Sequence, residues 1–256
     1  MGALSQIAKS FDGSGDTLEA QKEVITTLSN LADSKLSFYK SQMENSYLTA
    51  GQVGNPTFPI VSMMKEWTKT HAMTESSSTE LSGKLREAIG GFISGGGQGI
   101  ADGIFKLLDA ALVALFVDSV ATEGVETQYF IFCKNNVISR MDMAAWYRNV
   151  TATAITKKMQ KTSCFIVRQA VIDCKKTEWQ SFYAAFMTSY ENLNLTPEQI
   201  DAAEVEAEKL FVKNGGKIPP GFDRGAARQG FRLAEFDRAY KTLITTPTSF
   251  FPQWEG

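Results

Sequence analysis

Residues 88–117 read AIGGFISGGGQGIADGIFKLLDAALVALFV, and this stretch decides the fold that the sequence predicts. Its apolar residues recur at the three- and four-residue steps of a helix. Its glycines include a row at steps of four, which on a helix places them almost in line. The members of this glycine row are Gly91, Gly95, Gly99 and Gly103. A row without side chains lets another backbone approach closely, so we predict tight packing against a second helix or a membrane.

The charged residues within this segment form one narrow strip. Asp102, Lys106 and Asp109 are spaced by four and three residues, so that Lys106 can pair with both carboxylates on a helix. Apolar side chains complete the candidate surface for helix packing or membrane insertion, at Ile100, Ile104, Leu108, Leu112 and Leu115. The uncharged stretches are shorter than the roughly 20 residues that span a bilayer. The segment is therefore expected to enter a membrane only together with partners.

Two interpretations of the Gly-rich segment stay open. It is either the central core helix of a bundle, preceded by a glycine-rich connection, or a sequestered element that enters a membrane on binding or assembly. In organisation the second case resembles the α-helical pore-forming toxins, which store a Gly/Ala-rich apolar element between long helices. A phosphate-binding loop is disfavoured, because Gly97-Gln-Gly99 is followed by Asp102 where the dinucleotide fingerprint requires Gly.

Helical patterns are predicted along most of the remaining chain. The clearest are a long helix over 17–48 and a helix that starts at Thr196-Pro197-Glu198-Gln199 and stops at Asn214-Gly215-Gly216. Further helices are predicted near residue 60, where Ile60, Met63, Met64 and Trp67 recur, and over 138–160 and 163–190; residues 128–133 fit either a helix or a strand. These patterns predict an all-α bundle of about seven to nine helices. We expect one domain over 1–256, or a helical hairpin at 1–75 and a helical body at 76–256.

A basic stretch in the middle of the chain is the second candidate surface. Lys157, Lys158 and Lys161 could meet anionic lipid headgroups, and Trp146 would suit the membrane interface. The alternative is that this stretch simply faces the acidic residues 191–209 or water. The overall net charge of −2 gives no general attraction to nucleic acid, and we expect no nucleic-acid partner.

The sequence predicts no catalytic or metal site. His71 is the single histidine and has no metal-spaced partner, so it is expected to be a surface or capping residue. The three cysteines form no CxxC pair and are expected to be buried, reduced thiols. Because no secretory signal pattern is present at the N-terminus, we expect a cytoplasmic protein, with a non-classical route if it acts outside the cell. We predict no cofactor and no metal.

Three functions follow from these observations, in order of preference. The first is a membrane-active, pore-forming or lytic protein that is made in a soluble form and sequesters residues 88–117, with a lipid membrane or further copies of the chain as partners. The second is a soluble all-α binding or scaffold protein. The third is a helical enzyme that uses scattered carboxylates.

Overall fold

The computed structural model describes residues 18–52, 55, 57–73, 83, 86–87, 89–91, 105, 123–151, 159–191 and 195–224. Their main elements are three helices and four strands: α1 (Leu18–Thr49), β1 (Ile60–Met73), β2 (Glu123–Lys134), β3 (Val137–Thr151), β4 (Met159–Ile172), α2 (Trp179–Glu191) and α3 (Pro197–Lys213). The strands form one antiparallel sheet in the order β1-β4-β3-β2. Among the described strands, β1 and β2 therefore lie at the two edges.

The predicted all-α bundle of seven to nine helices is wrong, because the chain has a mixed α/β fold. The segment predicted as a helix over 138–160 contains most of β3, and the one predicted over 163–190 contains most of β4, although its end from Trp179 onwards is helical, as α2. Both strands lie inside the sheet and are buried on both faces over most of their length. Strands of this kind show no alternation of apolar and polar residues, and their apolar runs resemble those of a buried helix.

A tight turn at Asn135-Asn136 joins β2 to β3. Both residues have positive φ angles, of 49° and 64°. Asparagine tolerates this left-handed conformation, which a two-residue hairpin requires at both central positions. The turn fixes the register of the hairpin, and residues 128–133, which fitted either structure, are part of strand β2.

The helix predicted near residue 60 is also wrong, because these residues form β1. The pairing of β1 with β4 shifts register between Ile60 and Ser62 and again between Met63 and Lys65. A bulge adds one residue to the spacing between side chains on the same face of a strand. Ile60 and Met63 therefore share a face at a step of three, and with Trp67 four residues further along, on the other face, they imitate the periodicity of a helix.

Helices cover the first face of the sheet, which we define as the face that carries Trp146 and Ile166. Under α1, the helix residues Ala32, Tyr39 and Met43 pack on Trp146, Ile166, Ala144 and Cys164. Towards the β2–β3 turn the same face packs under α2 and α3. The aromatic core there consists of Phe58, Trp179, Phe182, Tyr183, Phe186, Tyr190 and Phe211.

The second face carries the alternate residues of the same strands. Met141, Met143, Phe165 and Val167 are buried there. Lys65 of β1 belongs to this side, because it stands opposite Gln169. Its Nζ donates a hydrogen bond of 3.2 Å to the Gly91 carbonyl, which brings the short helical stretch 89–91 next to β1.

The helix ends that carry local signals are where the sequence predicts them. The predicted helix over 17–48 is confirmed as α1. At the start of α3, the Thr196 hydroxyl accepts from the Gln199 amide while the Gln199 side chain accepts from the Thr196 amide, which forms the predicted capping box. Gly215 ends the helix at a φ of 89°, so the predicted stop is also confirmed.

The three cysteines are buried and unpaired, as predicted. Burial raises the pKa of Cys133 and Cys164 to about 12 and that of Cys174 to about 11. Since the thiolate is the reactive form, we expect the native protein to leave 5,5′-dithiobis(2-nitrobenzoate) unreacted at neutral pH. The denatured chain should release colour from three thiols. Fast labelling of the native protein would contradict this burial.

Candidate functional site

Most of the predicted Gly-rich site lies outside the described residues. This holds for the glycines Gly95, Gly99 and Gly103, for the apolar positions Ile100, Ile104, Leu108, Leu112 and Leu115, and for the charged strip Asp102, Lys106 and Asp109. Gly91 is described, lies in a helix, and is exposed. The predicted role of this segment stays a prediction.

The predicted lipid-binding residues are only partly described. Lys157 and Lys158 lie outside the described residues, and Lys161 stands near the start of β4, opposite Met73 and Asn149. Trp146 is buried on the first face of the sheet, at 1% exposed. Its indole nitrogen donates to Glu123 over 2.8 Å. The structure therefore places Trp146 in the core beneath α1, and its predicted lipid role stays a prediction.

A buried ionic pair connects β3 to α1. Asp142 accepts two hydrogen bonds from Arg140, at 2.7 and 2.9 Å, and a third of 2.7 Å from the Tyr47 hydroxyl of α1. The two charged side chains are 0% and 1% exposed. Burial raises the pKa of Tyr47, and the negative charge of Asp142 raises it further. Tyr47 therefore stays protonated and acts as a donor.

A second ionic cluster joins α1, β1 and β4 around the buried Arg168. Its guanidinium donates to Glu66 of β1 over 2.7 Å, to Glu44 of α1 over 2.8 Å, and to the Lys40 carbonyl over 3.1 Å. The ammonium of Lys40 also pairs with Glu66, at 2.6 Å. Arg168 stands directly opposite Asp142 in the sheet, so the two clusters are neighbours.

The contacts of these two clusters indicate a structural role, because they join α1 to the strands of the sheet. Both oxygens of Asp142 accept hydrogen bonds from within the fold, and α1 lies over the pair. A reactant could reach Asp142 only if α1 moved away. Among the described residues, no group of three histidine, cysteine or acidic side chains is placed to hold a metal ion.

The edge strand β1 presents the most exposed apolar surface on the described part of the sheet. Val61 is 67% exposed, Met63 is 51% exposed and Met64 is 44% exposed. We call these three residues the apolar patch. They lie where the two register shifts occur. Bulges re-aim side chains and bend the strand that carries them, which accounts for three large apolar side chains exposed to solvent within four residues.

Beyond the patch, β1 carries an alternating basic and aromatic row. Lys65, Trp67, Lys69 and His71 stand opposite Gln169, Val167, Phe165 and Ser163, and so they belong to the second-face side of the strand. The two lysines are exposed and the two rings are half-buried between them. We call these four residues the basic row. The structure places His71 inside β1, where it is half-buried.

Sequence reasoning missed this edge. The alternation Lys65-x-Trp67-x-Lys69-x-His71 is a strand signal of period two. It was obscured by the bulged residues just before it, whose spacing favoured a helix. The candidate site is therefore the β1 edge, formed by the apolar patch and the basic row.

No profile of a known protein family matches this chain, and no curated protein matches it in sequence. The described elements define a mixed α/β fold whose antiparallel sheet has β1 and β2 as its outer strands.

We expect removal of Asp142 to destabilise the fold strongly. In Asp142→Leu, Arg140 keeps a buried charge without its carboxylate, and breaking one side of a buried pair costs about 3–5 kcal/mol. Urea unfolding followed by circular dichroism measures the loss. The double variant Arg140→Met with Asp142→Leu should recover part of it, because no unpaired charge is left. A single variant that unfolds like the wild type would contradict a role in stability.

Glu66 should make the fold sensitive to acid. Burial acts to raise the pKa of Glu66, but hydrogen bonds from Lys40 and Arg168 outweigh it, and the pKa in the folded state lies below its ordinary value. A lowered folded pKa stabilises the fold above the ordinary glutamate pKa, and this contribution is lost as the pH falls through the folded value. The stability advantage of the wild type over Glu66→Gln should therefore be full at neutral pH and vanish in acid. An advantage that does not change with pH would contradict the ionic role.

Proposed function

We propose that this chain is a protein-interaction module that binds its partner along the β1 edge. The observation that carries the proposal is the apolar patch, where Val61, Met63 and Met64 are about half exposed or more on a strand whose neighbour β4 is almost wholly buried. Single exposed apolar residues are ordinary on protein surfaces. Three large apolar side chains exposed within four residues of one strand are typical of a surface that is covered by a partner.

The chemistry of the patch suits a protein partner. Methionine is flexible and polarizable, and it adapts to irregular apolar surfaces. The backbone beside it belongs to a sheet edge, and unpaired edges are the places where extended segments of other proteins add on. The two ionic clusters support this use, because Glu66 and Lys40 fasten β1 to α1 and hold the edge in one position.

The other predicted functions have less support in the described residues. No described helix is long and apolar enough to cross a membrane. Membrane activity was predicted from residues 88–117, which lie almost wholly outside the described residues, and it stays a prediction. An enzyme using scattered carboxylates is disfavoured, since Glu44, Glu66 and Asp142 are all engaged by arginine. The proposal keeps the binding function that the sequence predicted as its second choice, and the fold that carries this function is mixed α/β instead of all-α.

Site-specific photo-crosslinking tests the proposed function. Benzoylphenylalanine at position 64 should give a discrete protein adduct in extracts of the cells that make this chain, identified by mass spectrometry. Unlabelled wild-type chain should compete for the adduct. The triple variant Val61→Ser, Met63→Ser and Met64→Ser keeps the strand but removes the patch. It should not compete for the adduct.

Two exposed valines of α3 provide the matched control. Val205 and Val212 are 56% and 54% exposed, close to the values in the patch. Benzoylphenylalanine at these positions should not give the same adduct. If positions 64 and 205 give identical adducts, or if the triple serine variant competes as well as the wild type, the β1 edge is not the binding surface.

A further inference from the structure

We propose that α2 and α3 together form a binding site for segments of the pattern Phe-x-Arg, and that two such segments of this chain compete for it. The first, Phe222-Asp223-Arg224, occupies the site in this structure. The same tripeptide recurs at Phe236-Asp237-Arg238, which lies outside the described residues. The second copy replaces the first, so the chain that follows α3 has two alternative points of attachment. This inference is independent of the β1 edge.

The aromatic half of the site lies on α2. The Phe222 ring meets the rings of Trp179 and Tyr183 at steep angles, with centroid distances of 5.6 and 5.1 Å. Trp179 and Tyr183 are each only 1% exposed. Such edge-to-face contacts are favoured between aromatic rings, because the positive edge of one ring meets the negative face of the other. The site therefore has a defined place for an aromatic side chain.

The acidic half of the site lies on α3, where Glu204 and Glu208 are one helical turn apart. The Arg224 guanidinium donates two hydrogen bonds to Glu208, of 2.7 and 2.8 Å. Its remaining nitrogen lies 3.9 Å from the carboxylate of Glu204, which is 1% exposed and also accepts from the Tyr183 hydroxyl over 2.6 Å. The planar fork of arginine suits this two-pronged contact, whereas lysine offers a single point of charge. The site therefore distinguishes arginine from lysine.

Few contacts hold the present occupant in place. It ends a segment, residues 217–224, that leaves α3 and turns where the Phe222 amide donates to the Pro219 carbonyl. Ile218 and Phe222 pack on the core, and the other side chains of this segment are exposed. Arg224 itself is 45% exposed. Segments with few buried contacts open at a lower free energy than the core, so a competitor can displace this one.

The second copy offers the same two anchors on a longer tether. Phe236 and Arg238 have the spacing of Phe222 and Arg224 and lie fourteen residues further along the chain. The entropy cost of closing a loop rises only slowly with its length. The shorter tether therefore favours the first copy, and the second copy takes the site when the first is removed.

Fluorine NMR of a single 5-fluorotryptophan at position 179 reports the occupant, because the ring of Trp179 contacts Phe222 directly. Phe222→Ala with Arg224→Ala should leave the resonance close to its wild-type position, since the second copy enters the site. Phe236→Ala with Arg238→Ala should also leave it there, since the first copy stays. The quadruple variant should shift it, and this shift should exceed the sum of the two double variants.

Three outcomes of this experiment would overturn the inference. The first is a resonance that moves as far in the Phe222 and Arg224 double variant as in the quadruple variant. The second is a shift caused by the Phe236 and Arg238 changes alone. The third is a quadruple variant whose resonance stays in place. The positions should not depend on protein concentration, and a dependence would mean that the second copy comes from another molecule.

A peptide tests the site directly. The peptide Ala-Glu-Phe-Asp-Arg-Ala reproduces residues 234–239. Added to the quadruple variant, it should return the resonance at position 179 to its wild-type position in a saturable way. Lysine in place of the peptide arginine should weaken binding at least about fivefold, and alanine in place of the phenylalanine should abolish it. The wild type should bind the peptide at least about tenfold more weakly, because its own tethered copy competes at a high effective concentration.

Two glutamates of α3 provide the matched controls in the quadruple variant. Glu208→Gln should weaken peptide binding, because the amide cannot form the charge-assisted pair. Glu206→Gln changes an exposed glutamate two residues away and should leave binding unchanged. Equal binding to these two variants, or equal binding of the arginine and lysine peptides, would also overturn the inference. If circular dichroism shows that the quadruple variant is unfolded, Arg224→Lys with Arg238→Lys takes its place and should bind the peptide more tightly than the wild type does.

Discussion

Arg168 carries a positive charge into the interface between α1 and the sheet, where water cannot compensate it. Its guanidinium is 1% exposed and is satisfied by groups from two other elements: Glu44 and the Lys40 carbonyl from α1, and Glu66 from β1. An unpaired charge in such a place is costly, so α1, β1 and β4 can meet only in the arrangement that supplies these acceptors. The neighbouring pair of Arg140 and Asp142 imposes the same condition on β3 through Tyr47.

This constraint has a consequence for the edge of the sheet. Glu66 faces the first side of β1 and is held there by Arg168 and Lys40. Successive side chains of a strand point to opposite sides, so Lys65 and Trp67 are fixed on the other side. The ionic cluster and the basic row are therefore two sides of one strand. An edge held in this way is preorganised, and a partner that adds to it is spared the entropy cost of ordering it.

The parts of the fold that could be predicted are those determined by residues close in sequence. α1 shows a run of apolar residues at helical spacing, and α3 carries its cap, its Pro197 and its Gly215 within a few residues of its ends. β3 and β4 are determined by each other, through a pairing of Ser139 with Val171 and onwards that no local pattern specifies. Trp146 shows the same limit. Its neighbours are basic and predicted an interface, yet its place on the first face of β3 puts it beneath α1.

The β1 edge could not be predicted from the sequence, because its bulges and lysines hide the pattern of a strand. Bulges and lysines are the devices by which edge strands avoid uncontrolled pairing, and β1 has both. The bulges disrupted the pattern that would have identified the strand, and the lysines looked like an ordinary solvated surface. An edge that only needed protection would not also expose Val61, Met63 and Met64. The exposed apolar side chains beside these protective devices favour a surface that a partner covers.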